Sequence, residues 1–319
     1  MMYRAAILDD YQSAAPGLAD WDQLKDQIEF VFFSDHLDNE SDIAARLKDF
    51  DIVLMNRERT PFLKSQLDQL PNLKLLLTSG MRNFSIDVAA AAANEVTVCG
   101  TEMLGYPTPE LAWGLIISLA RQIPLEDRLL REGGYWQTTV GMGLRERTLG
   151  VVGLGRLGTP VAKIGLAFEM NVVAWSPNLT AERAAEVGVK CVSKDDLFAE
   201  ADFITLHMPL SDRSRGIVGA SDIQRMKPTA FLINTSRGPL IDEAALVTAL
   251  KTKAIGGAGL DVFDIEPLPL DHAFRRLANT VLTPHLGYVV EDNYRVAFAQ
   301  MIENIEAWIK GSPTRVMTP

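Results

Sequence analysis

The chain has 319 residues, of which 47% are hydrophobic and 23% charged, with a net charge of −10. That length predicts about two domains of ordinary globular composition, with cores that need no staples. The acidic balance and the lack of a Lys/Arg block argue against a nucleic-acid partner, no uncharged run approaches a membrane span, and Cys99 and Cys191 form neither a disulfide framework nor a metal-ligand set, so no metal is expected.

Met1-Met2-Tyr3-Arg4 leads at once to Asp9-Asp10, too short an apolar run for a signal peptide. A reducing cytoplasm is expected. Apolar runs at Ala5–Leu8, Glu29–Phe33, Ile52–Met55, Leu73–Thr78 and Val96–Cys99 predict short strands. Helical patterns at Leu18–Gln27, Ser41–Phe50, Pro61–Leu70 and Ser85–Asn94 alternate with them. Ser41 beside Asp42, and Pro61 after Thr60, read as helix starts. The rhythm predicts a parallel sheet with helices on both faces.

A helix over Pro109–Arg121 follows, then Pro124–Leu144, which reads as a long connection with no place in a sheet. A second alternating series opens at Thr148. Its strands are expected at Leu149–Gly153, Asn171–Trp175, Val189–Val192, Phe203–His207, Ala230–Asn234, Gly256–Val262 and Thr280–Thr283. A last helix is expected over about Glu291–Lys310. No low-complexity linker or internal repeat interrupts the chain. The two domains should therefore join through ordered elements near Gly100–Pro107 and Leu286–Val290.

Gly153, Gly155 and Gly158 have the dinucleotide spacing, after a strand pattern and before a helix pattern at Arg156–Phe168. The first glycine permits a tight turn, the second lets backbone approach a pyrophosphate, and the third lets helix pack on strand. A NAD-type site usually carries an acid about 20 residues further on, for the ribose hydroxyls. Here Ser176 occupies that place, and nearby Asn178 is also neutral. Nothing there repels a 2′-phosphate, and Arg183 is close in sequence. The cofactor reads as NAD(H) or NADP(H), tilted toward NADP(H). His207 closes a strand and is expected to line this site, whereas His36 and His272 lie in polar loops.

Three further segments follow strand patterns and supply Arg237, Glu266 and His285. Reduction of a 2-oxo acid needs a bidentate cation for the carboxylate, which Arg provides better than Lys. It needs a proton for the developing alkoxide, which His delivers near neutral pH. It needs a carboxylate to orient the imidazole. Each residue also has a plainer reading: Arg237 as a helix cap or a partner of Asp242, Glu266 as an exposed acid, His285 as a satisfied semi-buried side chain.

The segments GLGRLG, LHMPLSDRSRGIVG, INTSRGPLIDEAAL, GLDVFDIEP and TPHLG together resemble the D-isomer-specific 2-hydroxyacid dehydrogenase family, glyoxylate and hydroxypyruvate reductases among its members, over essentially the whole length. The resemblance implies an α/β fold of two Rossmann-like, doubly wound parallel-sheet domains. A nucleotide domain at 101–287 would be inserted into a flavodoxin-like substrate domain formed by 1–100 and 288–319. It implies that Arg237 binds the substrate carboxylate and carbonyl, that His285 is the acid/base and that Glu266 is its partner. Asp261 would lie near the nicotinamide, and Arg156, Leu157, Met208, Pro209, Ser214, Thr235 and Gly287 would complete the cofactor site. Ser79 and Gly80 would present N–H groups to the substrate carboxylate. Arg57-Glu58-Arg59, near the third strand, is unusually charged and departs from the family pattern: either Arg57 or Arg59 extends the anion site or both are simply solvated. The expected partners are a small anionic 2-oxo or 2-hydroxy acid and a second copy of the chain, in a homodimer. Formate dehydrogenation, the rival chemistry, would place Gln at position 266. A nucleotide-sensing interaction protein on the same fold is the alternative from another class.

Overall fold

A computed structural model of the chain describes residues 2–319. The chain forms two compact units, Met1–Leu104 with Val289–Pro319, and Gly105–Tyr288. No helix of the described residues is long and apolar enough to cross a membrane.

The first unit holds strands β1 (Tyr3–Ile7), β2 (Ile28–Phe32), β3 (Ile52–Met55), β4 (Leu75–Thr78) and β5 (Thr97–Cys99). All pair in parallel, in the order β2-β1-β3-β4-β5. Between them run α1 (Ala15–Leu18), α2 (Glu40–Leu47), α3 (Lys64–Leu67) and α4 (Val88–Ala93). β3 and β4 are buried at every position, which is why they read as continuous apolar runs instead of alternating ones. One face of the sheet packs Val53, Met55 and Leu76 against Ile43, Leu47, Phe62 and Leu67. On another side of the unit, Trp21 meets Phe30, Phe32 and Phe298, the last from the long helix Glu291–Ile309. This is the doubly wound order in which the chain changes direction between β1 and β3, so ligand-facing loops should follow those two strands.

Two local expectations fail here. Leu18–Gln27 is not one helix: α1 ends at Leu18 and a 3-10 turn covers Trp21–Leu24. The buried Trp21 indole donates to the Ala15 carbonyl at 2.8 Å, and that tie folds the segment back on itself. Nor does Thr60-Pro61 open a helix. Phe62 forms a parallel bridge with Ile86, keeping the chain extended until α3 starts at Lys64.

The second unit opens with α5 (Pro107–Arg121) and α6 (Ile123–Arg131). Its strands are β6 (Thr148–Val152), β7 (Asn171–Trp175), β8 (Lys190–Cys191), β9 (Phe203–Leu206), β10 (Phe231–Asn234), β11 (Gly257–Leu260) and β12 (Thr280–Leu282). Helices α7 (Gly158–Ala167), α8 (Ala181–Val187), α9 (Lys194–Glu200), α10 (Ala220–Arg225) and α11 (Glu243–Lys251) connect them. The seven strands are parallel, in the order β12-β11-β10-β9-β6-β7-β8. Chain direction reverses between β6 and β9, and the crevice at such a point is where dinucleotides bind. Asp242 caps α11, its carboxylate accepting from the Ala245 N–H at 3.0 Å.

Helix α6 corrects the reading of 124–144 as connection alone. Gln122 adopts a left-handed φ of 54°, which ends α5, and Pro124 sits in the first turn of α6, where proline starts a helix. None of the residues of α6 is buried. Its Ile123 and Leu130, with Trp136 beyond, border a cleft of about 470 Å³.

Candidate active site

The loops after β6, β7 and β9 enclose a second cleft, of about 380 Å³. Gly153, Leu154 and Gly155 line it from the first loop, Ser176 to Leu179 and Arg183 from the second, and His207, Met208, Pro209, Ser211, Arg213 and Ser214 from the third. It is smaller than the cleft beside α6. Only this one, however, lies at the point of reversal and is lined by the glycine loop leading to α7. Gly153 has φ +98° and touches β9's loop so closely that a side-chain carbon there would sit 2.6 Å from the His207 carbonyl. At position 158 the same atom would collide with the Gly153 carbonyl, so both must be glycine.

Burial pushes the His207 imidazole down to about 4. His207 is therefore neutral near pH 7 and supplies no cation for a phosphate. Its Nε2 meets Thr205 Oγ1 at 2.9 Å, whereas Nδ1 is buried without a hydrogen-bond partner. Thr235 Oγ1, past the end of β10, is likewise buried and unpartnered. Such atoms fit a polar ligand at these strand ends. Ser214 Oγ donates to the Pro209 carbonyl at 2.7 Å and shapes the loop. Arg156 stands exposed beside Gly105, next to Leu157. Arg213 is a lining residue that sequence reasoning missed, although it precedes Ser214 in the same motif.

Asp261, Thr235 and Gly287 do not line this cleft. The Asp261 carboxylate is fully buried and accepts from Thr283 Oγ1 at 2.6 Å, Leu286 N–H at 2.7 Å and Gly287 N–H at 2.8 Å. Its carbonyl accepts from the His285 N–H at 2.8 Å. Burial raises the carboxyl's pKa, and these donors act against that rise. Asp261 thus fastens the turn that holds His285 at a left-handed φ of 53°, a conformation disfavoured for a residue bearing Cβ.

Within this turn, His285 Nδ1 lies 2.6 Å from Glu266 Oε2. The other Glu266 oxygen accepts from the Phe263 N–H at 2.8 Å, so the carboxylate is held from both sides. An ionised carboxylate only accepts, which makes Nδ1 the donor and directs Nε2 away from Glu266. Tyr288 packs edge-on to the imidazole. Arg237 follows β10 and precedes a 3-10 turn over Gly238–Leu240, its Nη1 donating to the Ser236 carbonyl at 2.7 Å. The Asn234 side chain spans the turn, donating to the Arg237 carbonyl at 2.8 Å and accepting from Ser236 N–H at 3.0 Å.

The remaining candidates belong to the first unit. Arg57 follows β3 with φ 54°, and its N–H donates to Ser79 Oγ at 3.0 Å. Ser79 N–H donates to the Met55 carbonyl and Gly80 N–H to Thr101 Oγ1 at 3.1 Å, so both amides expected to meet a carboxylate have partners within the unit. Arg59 donates to the Asp9 carbonyl at 2.6 Å and lies over the Tyr11 ring at 4.5 Å.

The sequence model of the D-isomer specific 2-hydroxyacid dehydrogenase NAD binding domain matches residues 113–287. D-3-phosphoglycerate dehydrogenase of Synechocystis is 36% identical over 279 residues, covering 87% of this chain and 50% of that protein. The chain thus spans about half the length of that relative. Glyoxylate reductase of Aeropyrum pernix is 36% identical over 255 residues, 77% of this chain and 76% of that protein. The crystal structure of phosphoglycerate oxidoreductase from Vibrio cholerae superposes with a TM-score of 0.92 at 34% identity, covering 98% of this chain and 100% of that one. Two parallel α/β units, a dinucleotide-type loop at the point of reversal and these matches lead to one conclusion: the chain belongs to the D-isomer specific 2-hydroxyacid dehydrogenase family.

Proposed function

We propose that the protein is a nicotinamide-dependent oxidoreductase that interconverts a small 2-oxo acid and its D-2-hydroxy acid. The observation that carries this reading is the 2.6 Å contact of His285 Nδ1 with Glu266, in the unit that also carries Arg237 and the dinucleotide-type cleft. When bound at the glycine loop of Gly153 and Gly155, a nicotinamide cofactor would supply or accept the hydride. Arg237 holds the substrate carboxylate and carbonyl with its planar fork. His285 Nε2 gives a proton to the oxygen on reduction and takes it back on oxidation. Glu266 keeps the imidazole oriented, with Nε2 turned to the substrate oxygen. The test follows nicotinamide absorbance with a panel of 2-oxo acids, using NADH and NADPH in turn. Turnover of none of them would remove the reading.

The cofactor tilts toward NADP(H). Gly153, Gly155 and the first N–H groups of α7 would hold the pyrophosphate. Ser176 and Asn178, where an acid would repel a 2′-phosphate, share a cleft with Arg183 and Arg213. A charge-assisted contact contributes about 1.5–3 kcal/mol, a ratio of roughly ten- to a hundredfold. NADPH should therefore match or exceed NADH in kcat/KM with one oxo acid. Ser176→Asp should shift the ratio toward NADH by about tenfold or more, and Arg213→Ala in the same direction by less. A wild type favouring NADH more than about tenfold, with Ser176→Asp changing nothing, would falsify the role given to Ser176.

A homodimer through the nucleotide unit completes the proposal. Tyr135 is 100% exposed and Trp136 65%, beside the apolar residues of α6. Aromatics of this kind are enriched in protein interfaces. Light scattering at micromolar concentration should give twice the chain mass, and a particle of 35.1 kDa would count against the dimer.

A further inference from the structure

Helix α5 begins Pro107-Thr108-Pro109, within the second unit. Both prolines are buried, and each fixes its own φ near the helical value. Further along the helix, Ala112, Leu115, Ile116 and Leu119 share a core with Val151 of β6 and Ile233 of β10. Thr108 is thereby mounted on a rigid post. Its Oγ1 donates to the Gly287 carbonyl at 2.8 Å, two residues past His285. Gly287 is buried in a slot between two polar groups. A side-chain carbon there would come within 3.2 Å of Asp261 Oδ2 and 3.3 Å of Thr108 Oγ1.

Asp261 and Thr108 hold different peptide groups. The Asp261 carboxylate accepts from the Leu286 and Gly287 N–H groups, and so fixes the two peptides that follow His285. The Thr108 hydroxyl takes the next one, between Gly287 and Tyr288. Tyr288 projects from that peptide, and its ring meets the His285 imidazole with centroids 5.7 Å apart and planes at 81°. The imidazole is thus located by Glu266 at Nδ1 and by the Tyr288 ring at its side. A buried carbonyl stripped of its donor is costly, and rotation of its peptide toward another donor relieves the cost. Such a rotation would carry the Tyr288 ring with it and let the left-handed backbone at His285 relax. Given the proposed role of His285, on which this step rests, we infer that Thr108 is a positioning residue for the acid/base. Through the Gly287–Tyr288 peptide it sets where Nε2 points. Thr108 does not line the dinucleotide cleft, so cofactor binding should not depend on it.

The experiment compares Thr108→Val, Thr108→Ala and Thr108→Ser in the full chain, with the 2-oxo acid and the nicotinamide that the wild type uses best. It reads kcat, and by fluorescence titration the Kd and stoichiometry of nicotinamide binding. Thr108→Val keeps the branched shape without the hydroxyl and should lower kcat by about five- to fiftyfold, the scale of a small misplacement of a reacting group. Thr108→Ser keeps the hydroxyl and should hold kcat within about threefold of wild type. Nicotinamide Kd and stoichiometry should stay within about twofold in both, which separates a misplaced imidazole from a loss of folded protein. A valine variant with wild-type kcat overturns the inference, and so does a serine variant as slow as valine. Nicotinamide binding that falls in step with kcat overturns it too, because the unit at large would then be disturbed. If valine prevents folding, Thr108→Ala removes the hydroxyl with less bulk and meets the same criteria. Hydrogen exchange of the wild type needs no variant: the Leu286–Tyr288 amides should be protected for minutes or longer, and exchange within seconds would show that nothing holds the turn. Full turnover in Thr108→Val beside a slow His285→Ala sinks this inference alone. Full turnover in His285→Ala, or none in the wild type with any acid, sinks the proposed function and the inference with it.

Discussion

His285→Ala should lower kcat by about 10²–10⁴, the scale for loss of a general acid. Cofactor affinity, read by quenching of intrinsic fluorescence, should stay near wild type, because His285 does not line the dinucleotide cleft. A carboxylate fixed by the Phe263 N–H holds Nδ1, and that leaves Nε2 to handle the substrate proton. The left-handed backbone at position 285 is secured by Asp261 through neighbouring amides, not through the imidazole, so the alanine variant should keep the turn. Near-full turnover in that variant would show that the proton comes from elsewhere. Unfolding of the variant, seen by circular dichroism, would instead mean that the ring supports the turn.

Arg237→Ala should damage oxo-acid binding far more than cofactor binding. Loss of a bidentate, charge-assisted contact should cost about 1.5–3 kcal/mol or more, which raises KM by roughly ten- to a hundredfold. Arg237→Lys should recover only part of this, since an ammonium carries the charge without the planar fork. The turn around residue 237 is held by Asn234 and the backbone, which survive both substitutions. Full recovery by lysine would show that charge alone matters. A KM unchanged in the alanine variant would remove Arg237 from the substrate site.

Strands were the most legible part of the chain. Ile52–Met55 and Asn171–Trp175 match their apolar runs residue for residue, because the interior of a parallel sheet has no polar face to disguise the pattern. Helix α6 was hidden for the opposite reason. It buries no residue, and Pro124 stands in its first turn and not in a connection. The Leu18–Gln27 segment misled because Trp21 serves the core through a side-chain tie that periodicity does not encode. In the site, residue type and order were enough to single out Arg237, Glu266 and His285. The arrangement around them was not. Nothing in the spacing says that Asp261 would spend both carboxylate oxygens on the His285 turn. Nor does spacing say that Glu58 would fold back on Arg57, or that Arg213 would share a cleft with Ser176. Those contacts depend on loops brought together by strand order.

The same strand order has a consequence for the assembly of the chain. All seven strands of the second sheet lie within the single stretch Gly105–Tyr288, so that unit can condense from contiguous sequence. The first unit cannot. Its five strands are synthesised early, but Trp21 waits for Phe298, and the hydrogen bond from Asn304 to the Gly100 carbonyl spans 204 residues of chain. Contacts of such separation form late, and until they form the apolar surface they cover faces water. The unit that begins first is therefore completed last. Changes in the helix Glu291–Ile309 should be felt first as lost yield on refolding, before any effect on chemistry.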